Sequence, residues 1–109
     1  MALLVHTWDM PADKRGMEEY RLVGQESIPV VLAQPGVREF RAYRSPLRTT
    51  PQVMVEIEFE TDDLLQQFLE SYIHGDLVKD LIRAGVQNFH TNVWAASPVM
   101  PTAARPAGR

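Results

Sequence analysis

The sequence predicts an α+β sandwich with the element order β-α-β-β-α-β, and three observations carry that prediction. Val53, Val55, Ile57 and Phe59 alternate with Met54, Glu56, Glu58 and Glu60, the period-two signature of a half-buried strand. Directly afterwards Leu64, Leu65, Phe68, Leu69, Tyr72 and Ile73 switch to the three-and-four spacing of an amphipathic helix. The chain of 109 residues, 45% hydrophobic and 23% charged, is long enough for one domain with a modest core and has ordinary globular composition.

The remaining elements follow in order. Ala2 to Trp8 is the first strand, closed by Asp9-Met10-Pro11-Ala12-Asp13. Asp13 can cap the next helix by accepting a backbone N–H bond. That helix is expected from about Lys14 to Ala33, with Met17, Tyr20, Val23, Ser27 and Val31 on one stripe. Pro29 removes a hydrogen bond and crowds the Gln25 carbonyl, so a kink or break is expected near Ser27–Ile28. Gln34-Pro35-Gly36 stops the helix. Val37 to Arg44 is the second strand, with Arg38, Phe40, Ala42 and Arg44 opposite Val37, Glu39, Arg41 and Tyr43. A hairpin across Ser45 to Gln52 would place Arg41 near Glu56 and Glu39 near Glu58. The first pair is attractive, worth ~0.2–1 kcal/mol, and the second repulsive unless a cation lies between. Thr61 caps the next helix, with Asp62 and Asp63 at its positive end. Gly75 is expected to interrupt this helix before Gly85 ends it, and Phe89 to Ala96 forms the last strand. This order is a split βαβ arrangement, two helices covering one face of a four-stranded antiparallel sheet.

Composition excludes several classes of function. A formal net charge of -3 argues against broad attraction to nucleic acid or anionic lipid. Without cysteine there are no disulfides or thiolate metal sites, and a reducing cytoplasm is the expected location. The run MALLVHTWD is too short and lacks the basic flank of a signal peptide, and no stretch reaches the length of a membrane span. Residues 1–97 form the expected domain, and residues 98–109, with three prolines, an extended or disordered tail.

Phe40 belongs under the helices with Val53, Val55, Ile57 and Phe59. The opposite face collects Glu39, Arg41, Tyr43, Met54, Glu56 and Glu58. On the outer strands, if Leu3, Val5, Val93 and Ala95 face the helices, then His6, Trp8, Asn92 and Trp94 join the charged face. Two tryptophans on an open sheet call for a cover, and a second copy supplies one through a two-fold interface. A homodimer is therefore expected, with His6, Trp8, Arg41, Glu56 and Trp94 in its interface.

The element order and two segments resemble the dimeric α/β-barrel superfamily, particularly the antibiotic-biosynthesis-monooxygenase-like proteins of ferredoxin-like fold. QPGVREFRAYRS at 34–45 is similar to that family's E-P-G-C-x-x-Y segment. VEIEFETDDLLQQFLESYIHGDLV at 55–78 is similar to its strand and following W-E-(D/S)-x-x-x-(L/F)-x-x-H-L-x-S-x-H-H segment. In that register Phe59 takes the tryptophan position, Phe68 replaces a common histidine, and Ile73 and His74 fall on the later histidine pair. The resemblance implies a cofactor-independent monooxygenase acting on a small quinol- or polyketide-like aromatic. A non-catalytic small-ligand-binding or stress-associated dimer is the alternative it leaves open. The haem-degrading branch fits poorly, because its iron-ligating histidine would fall at Val78.

His74 is the candidate catalytic residue, an acid or base near neutral pH or else a helix-end residue meeting free carbonyls. Phe40, Phe59, Phe68 and Tyr72 are the candidate aromatic wall of a substrate site, with Arg38 or Arg44 orienting an anion. The three histidines do not share metal-ligand spacing. Glu39, Glu56 and Glu58 read more simply as partners of Arg41 than as a cation site, so no metal and no cofactor are expected. No glycine-rich phosphate loop and no nucleophile motif is present.

Overall fold

The computed structural model describes residues 1–107 and has the expected order. Strand β1 (Ala2–Asp9) leads into α1 (Lys14–Leu32), the strands β2 (Val37–Arg44) and β3 (Val53–Phe59) follow, then α2 (Asp62–Glu70), α3 (Tyr72–Arg83) and β4 (Gln87–Ala95). The sheet order is β2-β3-β1-β4 with every neighbouring pair antiparallel, the ferredoxin-like arrangement. Residues 98–107 carry no helix or strand, and the last two residues of the expected tail lie outside the described residues.

Local chemistry sets most boundaries. Asp13 Oδ1 accepts from the Gly16 amide at 2.7 Å and starts α1. Thr61 does the same for α2 through the Leu64 amide at 3.2 Å. Two expectations need correction. The helix α1 runs unbroken through Ser27 and Ile28 to Leu32, because Pro29 sits one turn from the end and costs only one bond there. The C-terminal helical region breaks at Ser71 rather than Gly75: Ser71 has an extended ψ of 151° and its hydroxyl caps α3 through the His74 amide at 3.3 Å. A serine satisfies an orphan N–H better than a glycine can, so Gly75 rides inside α3.

Gly36 ends the α1–β2 turn at φ +82°, where its carbonyl accepts from the Glu60 amide at 2.8 Å. A Cβ there would lie 2.5 Å from Leu64 Cδ1. Both the left-handed backbone and the clash act against a side chain, so Gly36→Ala is expected to lose about 2–3 kcal/mol. Urea unfolding of the variant measures this, and a loss under half a kcal/mol would contradict it.

The core lies between the helices and one sheet face. Ala2, Leu4, Val53, Val55, Ile57 and Phe59 meet Val31, Leu65, Phe68, Leu81 and Val86, all buried. Register puts Leu4 opposite Ile57, His6 opposite Val55 and Trp8 opposite Val53. His6 and Trp8 therefore face the helices, which reverses their expected placement on the charged face and removes them from any interface there. Leu3 and Val5 pair with Trp94 and Asn92 and share the outer face with them. Phe40 stays inward as expected, opposite Ile57. A register shift between Val37 and Glu39 swings Arg38 outward to Glu58, Nε to Oε2 3.7 Å, so Arg38 is not on the helix side. A bulge inserts one residue and reverses the alternation beyond it.

The charged face forms the expected register, Arg41 opposite Glu56 and Glu39 opposite Glu58. The cation needed between the glutamates is Arg41 itself. Its Nε lies 3.3 Å from Glu56, its Nη2 3.6 Å from Glu58, and Nη1 pairs with Glu39.

Candidate active site

One cavity of about 190 Å³ lies between the sheet and the helices α1 and α3. Its walls are mostly aliphatic: Val31 from α1, Val53, Val55 and Ile57 from β3, Leu77 and Leu81 from α3, with Phe40 and Ala42 from β2. Against that surface stand His6, Trp8, Tyr20 and Arg21. Trp8 donates its indole N–H to the Tyr20 hydroxyl at 3.0 Å and stacks on Phe89 with centroids 5.9 Å apart. This bond fixes one end of the cavity. Burial pushes the Tyr20 phenol above its ordinary pKa, against the opposing influence of Trp8 and Arg44.

His6 is 2% exposed and is the one buried polar residue of the described core. Its Nδ1 lies 3.0 Å from Thr91 Oγ1, and its Nε2 lies 3.3 Å from Nε2 of His74. The two imidazoles stack with centroids 5.2 Å apart, and Phe68 meets the His74 ring edge-on at 5.3 Å. Burial, with the nearby His74, lowers the His6 pKa to about 4. Burial also lowers that of His74, against an opposing influence of the Leu69 backbone. Both rings are therefore neutral at pH 7. Between two neutral rings one Nε2 donates and the other accepts. Contacts run from Thr91 through His6 to His74.

The expected site residues divide. Phe40 lines the cavity, and His74 turns its ring inward onto His6. Phe59 and Phe68 are core residues, 0% and 4% exposed, packed on each other at 5.5 Å and away from the cavity wall. Tyr72 is 77% exposed on the outer side of α3, so it is not part of an aromatic wall. Arg44 lies on the inner face beside Tyr20, whereas Arg38 faces outward. His6, Trp8 and Arg21 are the site residues missed in the sequence. The strand register places the first two. Arg21 follows Tyr20 on the helix, and its position next to a stripe residue was the available signal. Among the described residues no group of three histidines or carboxylates could hold a metal, and no helix is long and apolar enough to cross a membrane.

The ferredoxin-like sandwich is the fold this chain shares with antibiotic-biosynthesis-monooxygenase-like proteins. The chain is similar to a candidate antibiotic biosynthesis monooxygenase from Deinococcus radiodurans, at TM-score 0.74 and 9% identity over 99% of this chain and 100% of that one. It is similar also to a variant of SnoaB, a cofactor-independent oxygenase from Streptomyces nogalater, at TM-score 0.69 and 13% identity over 99% and 97% of the two chains. An EthD-family protein from Bacillus halodurans matches at TM-score 0.64 and 20% identity over 86% of this chain and 96% of its own. No protein-family model and no curated protein matches the chain. At these identities the likeness concerns the fold.

Proposed function

We propose that this protein is a homodimeric, cofactor-independent oxygenase that acts on a small aromatic compound held between the sheet and α1, in the cytoplasm that suits a cysteine-free chain. The observation that carries the proposal is the apolar cavity with the His6–His74 pair in and behind its wall. An apolar chamber with few convergent polar groups suits a ring with one or two hydroxyls. Such a substrate, once deprotonated, supplies the electrons itself: in a quinol one ring C–H becomes C–OH and the two hydroxyls become carbonyls, while O₂ yields the new oxygen and one water, four electrons on each side. The work left to the protein is to take the proton and exclude water. A proton that His6 takes from the substrate can pass across the 3.3 Å contact to His74. The charge then sits on the less buried ring. An aromatic anion in the cavity favours that imidazolium and raises its low pKa.

The test is oxygen consumption with a panel of single-ring quinols, comparing wild type with His74→Ala. A fall of roughly a hundredfold or more in the variant is expected, with ligand affinity retained. Equal rates remove His74 from the reaction. A second reading has its own support: both nitrogens of His6 already have partners within the protein, as in a packed structural histidine. On that reading the chain is a non-catalytic small-ligand-binding dimer, and the same compounds bind without oxygen uptake.

A further inference from the structure

The cavity is apolar, but its margin is not. Arg21 lines it. Arg44 is at the inner-face end of β2, opposite the cavity residue Val53, and its charge reaches the Tyr20 hydroxyl. Six arginines lie within helices and strands. Four of them, Arg15, Arg38, Arg41 and Arg83, each meet a carboxylate. Arg21 and Arg44 meet none among the described residues, and the polar contact recorded for Arg44 is its Nη2 on the Met10 sulfur at 3.5 Å. The chain has 14 acidic residues and net charge -3, so unpaired arginines are against its general tendency. Two at one cavity margin make a local positive field in an otherwise acidic surface.

Volume limits what enters beside them. A cavity of about 150 Å³ takes one benzene ring, and this one holds about 190 Å³, one ring with small substituents. We propose that the ligand is a single-ring aromatic carboxylate, with its ring among Trp8, Val31, Val55 and Leu81 and its carboxylate between Arg21 and Arg44. The inference rests on the cavity being the substrate site. It narrows the substrate to a phenol or quinol with a short acidic side chain. A guanidinium fork matches a carboxylate bidentately, which gives orientation as well as attraction. The ring hydroxyl would then point inward, toward His6.

Calorimetric titration of the full chain with phenylacetate and phenylacetamide separates charge from shape, since the two have the same ring and nearly the same size. Phenylacetate is expected to bind at least about tenfold more tightly. Arg21→Gln and Arg44→Gln are each expected to lower that preference about fivefold or more and to leave phenylacetamide unchanged. Both side chains belong to exposed residues, so the variants keep the fold, and their melting temperatures verify it. Equal affinity for the two compounds overturns the carboxylate assignment while the cavity remains a ring site. An undiminished preference in both variants overturns the arginine assignment. Binding of 9-anthracenecarboxylate as tightly as phenylacetate overturns the single-ring limit. No binding of any of them overturns the proposal together with the substrate site on which it rests. Oxygen uptake with 2,5-dihydroxyphenylacetate reports on the reaction separately: binding without uptake rejects the oxygenase reading and keeps the ligand class.

Discussion

Acidification from pH 6.5 to pH 4 is expected to cost this fold about 3 kcal/mol through His6 alone. In an unfolded chain the imidazole takes a proton near 6.5, whereas in the fold burial and the neighbouring His74 hold its pKa to about 4. Between those values the unfolded state binds more protons, so stability falls as the pH falls. An interval of about 2.5 pH units at about 1.4 kcal/mol each gives the figure. The groups facing the ring are Thr91 and Phe89 from β4 and His74 from α3, none of them a carboxylate that could stabilise an imidazolium. His74, also lowered, acts in the same direction. The loss is a large share of the ~5–15 kcal/mol that holds an ordinary domain folded.

The carboxylate of Asp9 acts in a separate window. Hydrogen bonds from Thr50, Asn88 and the Gln52 amide hold it below its ordinary pKa. A lowered carboxylate contributes stability above its unfolded value near 3.9 and loses it as the pH falls through the folded value. Its effect therefore begins where that of His6 is ending. Urea unfolding at half-unit steps from pH 7 to pH 3 resolves the two. In His6→Gln the slope between pH 6.5 and 4 should shrink to the part due to His74, and the slope below pH 4 should stay. An equal slope in wild type and variant would show that His6 titrates alike folded and unfolded.

The elements with a single buried face were legible in the sequence. On β3, Val53 to Phe59 is strictly alternating, and the register of Arg41 with Glu56 followed from it. The first strand was legible but its facing was not, because β1 is a central strand with apolar residues on both sides. Leu3, Leu4 and Val5 in succession carry no phase, and only pairing with β3 decides that Leu4, His6 and Trp8 face the helices. The site depends on that choice, since one residue of slip exchanges His6 and Trp8 for Leu3, Val5 and Thr7. Arg38 was misplaced for a similar reason: a bulge leaves no mark in composition. His74 could be singled out from its place after a helix, but its partner lies 68 residues away in the chain. No local pattern joins them.

Replacing Trp94 is expected to separate two copies of the chain while leaving each protomer folded. The outer sheet face carries Trp94 and Tyr43, 58% and 46% exposed, beside Leu3, Val5 and Met54 and the lattice of Arg41 with its three glutamates. An aromatic left this open contributes little to the protomer, so Trp94→Ser should change its stability by no more than about 0.5 kcal/mol. In a two-fold interface the same residue occurs twice. A central aromatic anchor costs about 2 kcal/mol when removed, and two copies cost about 4, close to a thousandfold in dimer dissociation. The lattice gives a second route to the same end. Arg41→Glu would leave four carboxylates on each face, opposed by four from the other copy, and the repulsion strengthens as water is excluded. Light scattering at micromolar concentration reads both variants directly. A wild-type chain that runs as a monomer at tens of micromolar, or a Trp94→Ser dimer as tight as wild type, would show that this face meets water and not a second copy.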